Sequence, residues 1–322
     1  MVSQLSSGPP VPSRAQPREA SDSFVASGRR KQRAARFSVL SNTALTVFKL
    51  VTGLATGSVS VLSEALHSGL DLAASVMDLL AVRKSGTPAD SEHQFGHGKF
   101  ESLAGLAEGA LILAAVVMIC WSALHRLLVF HPEIQRIGLG VAVMGISAVA
   151  NTAVSAMLFR AAQETDSVAL RADAWHLRAD VWTSAGVLVG LAAISLARRA
   201  GVHGADVLDP VVALGVALVI ARAAWGIMRQ SWGHLVDRSL PAEEIAVIET
   251  LLSEHYPEFT GYHRLRTRKA GSQRYIDLHL EVSGEQSVTD AHALCDHLET
   301  DVRSLLPEAE VMIHVEPRGS DD

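Results

Sequence analysis

The sequence predicts an α-helical membrane protein with six transmembrane helices, followed by a C-terminal cytoplasmic α+β domain of element order αββαβ. Three observations predict it. Apolar residues make up 48% of the 322 and run in blocks of about 20, the length a helix needs to cross the hydrocarbon core of a bilayer. From Asp237 onward the blocks give way to amphipathic and alternating periods, the marks of packed helices and half-buried strands. Two of the blocks each carry a histidine and an aspartate one helical turn apart, His67 with Asp71 and His176 with Asp180.

Residues 1–36 are rich in Ser, Pro, Ala and Arg without a continuous apolar stretch, so a disordered, basic cytoplasmic tail is expected there. A signal peptide needs an apolar core after its positive start, and this segment has none. Arg29, Arg30, Lys31, Arg33 and Arg36 stand just before the first span, which places the N-terminus in the cytoplasm under the positive-inside rule.

Spans are expected at 37–58, 61–83, 102–128, 137–160, 174–197 and 208–229, forming a six-helix bundle over 37–238. Six crossings return the C-terminus to the cytoplasm. The loop charges (Arg83, Lys84, Lys99, Arg160 and Arg171 inside, Arg126, Arg136, Arg198 and Arg199 outside) are only weakly biased, so the basic tail carries the orientation.

Polar residues in the second span fall at three- and four-residue steps: Glu64, His67, Asp71, Ser75 and Asp78 line one helix face. The fifth span repeats the device with Asp173, His176, Asp180 and Thr183 or Ser184, while Trp175 and Trp182 fall on another face, toward lipid or a neighbouring helix. Ionisable groups at membrane depth are costly and mark ion or proton sites. Two facing pairs, His67 and Asp71 with His176 and Asp180, supply two imidazole nitrogens and two carboxylate oxygens, a donor set suited to Zn2+ or a similar transition metal.

Between the second and third spans, Asp90, His93 and His97 lie within eight residues of one another in a loop bent by Gly96 and Gly98. They could close around one weakly held metal, or form a polar loop that happens to contain two histidines.

The soluble domain is expected over 239–318, with a short tail at 319–322. Pro241 to His255 reads as an amphipathic helix, with Glu243 and Glu244 suited to its N-terminal dipole. Gly261–Thr267 and Arg274–Val282 alternate as strands around an Ala270-Gly271-Ser272 turn. Thr289–Leu306 is a second helix ended by Pro307, and Ala309–Val315 a third strand. This gives a small open, ferredoxin-like sheet with helices on one face, whose modest core would gain from pairing with a second copy. His279 and His314 each lie on a strand, and His263 and His292 are placed to reach the same sheet edge, so a shared metal cluster is expected, with Glu316 close by.

The net charge of −6 and the lack of a basic stripe with interleaved aromatics argue against a nucleic-acid partner. Cys120 and Cys295 are isolated, which argues against a disulfide framework and against a cysteine zinc site.

Taken together, the two His-x-x-x-Asp pairs, Phe95-Gly-His-Gly-Lys99, and the Leu265-Arg-Thr-Arg268 to Ile276-Asp-Leu-His-Leu280 run resemble the cation diffusion facilitator family over about 37–317, closest to its bacterial zinc and iron efflux members. The resemblance implies a metallochaperone-like soluble domain and a homodimer. It implies transport ligands at His67, Asp71, His176 and Asp180, and a loop site at Asp90, His93 and His97. A metal pair held across the dimer falls to His263, His279, His292, His314 and Glu316, and a charge interlock between the two parts to Lys99 and Asp237. His67 and Glu316 replace aspartates of the nearest bacterial members, and residues 161–173 lack a His-rich insert. The two-His, two-Asp set resembles the zinc-selective branch, and the missing insert a bacterial inner-membrane carrier.

A Zn2+/proton antiporter is therefore expected, exporting Zn2+ by alternating access, with Zn2+ also as a structural or regulatory ion of the soluble domain. Its partners would be divalent cations, protons, the bilayer and a second copy. Cd2+, Co2+, Fe2+ or Mn2+ are alternative cargoes, since affinity order alone does not select among them. A non-transporting metal sensor or scaffold is the alternative role. An intramembrane hydrolase would need a general base, and no His-Glu-x-x-His is present.

Overall fold

The computed structural model describes residues 17–57, 59–128, 138–199 and 208–319. Residues 1–16 of the expected tail, the last residue of the expected first span (58), the loop residue Arg136, the first residue of the expected fourth span (137) and residues 320–322 of the expected C-terminal tail fall outside the described residues. Six long helices come first: α1 (Pro17–Thr56), α2 (Val59–Ser85), α3 (Lys99–Leu128), α4 (Gly138–Thr165), α5 (Val168–Arg199) and α6 (Leu208–Leu235). Among the described residues, stretches long and apolar enough to cross a membrane lie in α1, α2, α3, α4 and α6. The first half of α5 carries Arg171, Asp173, His176, Arg178 and Asp180.

The expected disorder over 1–36 gives way to helix from Pro17 onward. Ala34 and Ala35 are buried against α2, α4 and α5 residues such as Ala81, Val82, Leu158 and Leu170. Lys31 is buried too: its Nζ donates to Glu101 Oε1 at 2.9 Å and to Ser272 Oγ at 2.7 Å. Composition marked this segment as a tail because its small and basic residues carry little apolar area. The small residues allow close helix packing, however, and one of the bases has a buried acid waiting for it.

In the bundle, α1 packs on α2 and α4, α4 on α5, and α3 on α5 and α6. One apolar cluster joins α1, α2, α4 and α5, and a second, built on Ile112, Val116, Ala217, Ile220 and Ile227, joins α3, α5 and α6. Trp175 and Trp182 pack edge-on against each other, ring centroids 5.7 Å apart, and both pack against this second cluster, so they meet neighbouring helices. The chain reverses between α4 and α5 at Asp166, whose φ of +50° is left-handed. Ser167 Oγ then accepts from the Leu170 N–H and starts α5, a serine doing what N-terminal serines do for the open first turn.

After α6 come α7 (Ala242–Glu254), β1 (Gly261–Ala270), β2 (Gln273–Val282), α8 (Val288–Leu305) and β3 (Ala309–Pro317), in the αββαβ order expected. β2 is central, antiparallel to β1 and parallel to β3. Along β2, Ile276, Leu278, Leu280 and Val282 point into a core with Ile248, Leu252, Leu294 and Leu298 of the two helices. The alternate residues Asp277, His279 and Glu281 therefore face away from the helices.

Where the two parts meet, the backbones touch. A Cβ on Gly98 would stand 2.3 Å from the Ala270 carbonyl oxygen, and one on Gly271 2.7 Å from that of Gly98. Only glycine fits either position, and Gly271 also has φ +63°. Around this contact Phe95 lies under the Arg268 guanidinium, and the Tyr275 hydroxyl donates to the Phe95 carbonyl at 2.5 Å.

Candidate metal centres

In the bundle, the i, i+4 spacing puts each histidine on the face of its aspartate, and packing of α2 on α5 turns the two faces together. His176 Nε2 stands 3.1 Å from Asp71 Oδ1. One donor atom each from Asp71, His176 and Asp180 lie within 4.8 Å of one another. His67 is not in this set: its side chain is 56% exposed and its Nε2 is 3.9 Å from Asp71 Oδ1. It lines, with Asp71 and Asp180, a cavity of about 200 Å³ whose wall also includes Lys49, Glu64, Ser147 and Asn151. The candidate site is thus three enclosed donor residues with a fourth at the rim.

Around it stand Glu64, Asp78 and Asp173, which the sequence placed on the same helix faces, together with Lys49 and Glu108, whose place beside the site sequence reasoning missed. Lys49 Nζ donates to Ser68 Oγ at 2.7 Å and pairs with Glu64 at 3.4 Å, placing a fixed positive charge on the cavity wall. Carboxyl oxygens of Asp78, Glu108 and Asp173 converge within 4.8 Å in the bundle interior, with Glu108 Oε1 3.8 Å from His176 Nδ1. A lone acid in the otherwise apolar third span was the available signal for Glu108.

The loop residues Asp90, His93 and His97 also converge within 4.8 Å. His97 Nε2 lies 3.3 Å and His93 Nδ1 3.5 Å from the Asp90 carboxylate. The backbone N–H of His93 donates to Asp90 at 2.7 Å, which chiefly holds that carboxyl below its ordinary pKa, with the two imidazoles adding to it. An ionised carboxylate between two imidazoles is the form a metal requires.

On the sheet, register does the gathering. His263 pairs with His279, and His279 with His314, so three imidazoles cross the three strands in one row on the helix-free face. His279 Nδ1 is 2.7 Å from Glu316 Oε1, His263 Nε2 3.3 Å from Oε2, and His314 Nε2 3.4 Å from Oε1. Burial pushes the Glu316 carboxyl up, but the His279 hydrogen bond and the nearby imidazoles outweigh it and hold the pKa down.

His292 does not reach this row within one chain. It lies on α8, 75% exposed at its side chain and 3.7 Å from Asp296. The cause is the packing of α8, whose Ala291, Leu294, Cys295 and Leu298 face the sheet and turn His292 outward. Glu281, 3.3 Å from His263 Nδ1, stands beside the row instead.

Lys99 and Asp237 meet at 2.9 Å, with Arg268 3.5 Å from the same carboxylate. The hydrogen bond from Lys99 is the main cause of a lowered Asp237 pKa. The pair is 39% and 49% exposed, and such pairs contribute about 0–1 kcal/mol. The buried Lys31–Glu101 pair (7% and 1%) is the costlier one to break, at about 3–5 kcal/mol. Glu101 also accepts from Ser85 at 2.8 Å and from Ser167, so α1, α2, α3 and the start of α5 meet at one carboxylate, and the soluble domain joins them through Ser272 on Lys31. Asp166 is gripped from the soluble side by Lys269 and Arg274, and Arg274 reaches on to Glu244 at 2.8 Å.

The family model of the cation efflux transmembrane domain matches residues 35–236, and that of the cation efflux protein cytoplasmic domain matches 240–318. The chain is 38% identical over 262 residues to an uncharacterized transporter of Synechocystis, covering 81% of this chain and 82% of that protein. It is 36% identical over 291 residues to the cation-efflux pump FieF of Klebsiella pneumoniae, covering 90% and 94%. A solved chain of the putative zinc transporter CzrB in its zinc form is 38% identical and covers 27% of this chain and 98% of its own, at a TM-score of 0.25.

Proposed function

This chain belongs to the cation diffusion facilitator family, a family of cation efflux transporters and not of enzymes, and from that premise we propose that it exports Zn2+ from the cytoplasm in exchange for protons. The observation that carries the reading is the enclosed set of Asp71, His176 and Asp180 with His67 at the rim of the same cavity. Two nitrogens and two carboxylate oxygens suit Zn2+ in a tetrahedral arrangement better than the oxygen-only sets preferred by Mg2+ or Ca2+.

Proton exchange follows from the ligands. Metal requires neutral imidazole and ionised carboxylate, so loading expels protons and protonation expels metal. Histidine titrates, by its ordinary pKa near 6.5, where a physiological gradient acts on it. The bundle loads from the cytoplasm, rocks to face the other side, takes up protons there as Zn2+ leaves, and returns. Lys49, fixed at the wall, disfavours any state in which the carboxylates are protonated and the cavity still holds the dication.

The soluble domain acts as a second copy's partner and as a zinc-responsive element. His263, His279, His314 and Glu316 would hold the ion on the helix-free sheet face, and His292 would be supplied from the partner copy. An ion held between two copies favours one dimer arrangement, and the joint through Gly98, Gly271 and Asp166 passes that preference to α3 and α5. The location is the bacterial inner membrane, with both termini and the soluble domain in the cytoplasm.

The test is metal flux into proteoliposomes with and without an imposed pH gradient, with Zn2+, Cd2+, Fe2+ and Mn2+ compared. Zn2+ flux that follows the gradient supports the reading. Flux indifferent to the gradient removes proton exchange, and a preference for Fe2+ or Mn2+ removes zinc as the cargo.

A further inference from the structure

On the helix layer of the soluble domain, away from the histidine row, His255 ends α7 while His297 and Asp301 lie one turn apart on α8. His255 Nε2 is 3.1 Å and His297 Nε2 3.5 Å from the same oxygen, Asp301 Oδ2, and the two rings are 5.3 Å apart. The other nitrogen of His255, Nδ1, is 2.9 Å from the Leu251 carbonyl oxygen. That carbonyl can only accept, so it claims the single N–H of a neutral imidazole. Nε2 is then left with a lone pair aimed at a carboxylate oxygen, and His297 brings a second nitrogen to that oxygen. A lone pair and an anion facing each other call for a positive charge between them, a proton or a metal ion, and the second imidazole nitrogen beside them makes a ligand set for the latter.

We infer that His255, His297 and Asp301 form a transition-metal site bridging α7 and α8, complete within one protomer. The arrangement is that of a histidine oriented by its own backbone: Nδ1–H to a carbonyl fixes the tautomer and presents Nε2, as the outer partners of metal-bound histidines do. Two nitrogens and one carboxylate suit Zn2+, Co2+ or Ni2+, with water at the remaining position. His255 is mostly enclosed, at 13% exposure, and His297 is open, at 59%, so the ion enters from solvent onto a fixed ligand. Because α7 follows directly from the joint with the bundle and α8 carries His292, an ion here stiffens the element through which the domain is attached.

The test is Co2+ and Zn2+ binding to the full-length chain in detergent by equilibrium dialysis. His297→Gln, an exposed position, and Asp301→Asn are each expected to bind one ion fewer per protomer, with zinc flux in proteoliposomes retained. An unchanged number of ions means that a proton occupies the gap, and overturns the site. Hydrogen exchange of the unaltered chain supplies a second arm that needs no variant. Zn2+ is expected to slow exchange around 250–256 and 294–302, and no slowing there overturns the proposal. Neither arm depends on transport, so its failure is separate from a failure of the exporter reading.

Discussion

In the bundle, Asp71, His176 and Asp180 come from two helices and are enclosed, with only His67 open. On the sheet, three imidazoles and Glu316 come from three strands and lie on a face that no helix among the described residues covers. The donor types are nearly the same and the surroundings are opposite. Enclosure makes the loss of any one charge expensive, because its partner is left without water. An open face lets water replace what is removed, and suits a site that a second copy completes. The same contrast separates the two lysine pairs at the joint, Lys31–Glu101 enclosed and Lys99–Asp237 open.

The contrast is sharpest at Lys31. Replacement by alanine strands Glu101 and is expected to lower stability by about 3–5 kcal/mol, read as a shifted denaturation midpoint in detergent. A change under about 1 kcal/mol would break the comparison. Next in size, Asp180→Ala should weaken zinc binding at the bundle by on the order of 100-fold, measured by calorimetry, with His67→Ala costing less because that ring stands at the rim. Equal losses at the two positions would show that the rim and the enclosed ligands are not distinguished.

At the sheet, Glu316→Gln should weaken zinc binding by about 10-fold and leave the bundle site unchanged. Its pH dependence has a definite sign. The folded-state pKa lies below the ordinary 4.5, so the carboxylate's contribution is complete above that value and is lost as pH falls through the depressed one. Zinc-free unfolding followed below pH 4.5 should therefore show a loss of stability that Glu316→Gln lacks. The smallest effect belongs to Lys99→Ala, at most about 1 kcal/mol in the same denaturation; a loss comparable to that of Lys31→Ala would assign the open pair a structural weight that its exposure does not predict.

Period and spacing made much of this legible. Apolar blocks gave the spans, alternation gave the strands, and i, i+4 pairs gave Asp71, His176 and Asp180, because each is a local pattern. Contacts between distant segments left no such trace. Lys31 looked like tail until α3 supplied Glu101. Asn151 and Lys49 share no local pattern, and only the packing of their helices brings them to the wall of one cavity. His255 and His297 are 42 residues apart, and only the packing of α7 on α8 joins them. His292 went the other way: its place in the sequence suggested the sheet edge, and the apolar stripe of α8 turned it out.

The central claim is that metal moves through the enclosed ligands in exchange for protons. Its most direct test records internal pH and internal Zn2+ together in proteoliposomes, for the unaltered chain and for Asp180→Ala. The account predicts that zinc entry and opposite proton movement rise and fall together in the unaltered chain and that both vanish in the variant. Zinc entry that persists in Asp180→Ala, or that proceeds without proton movement, would contradict it.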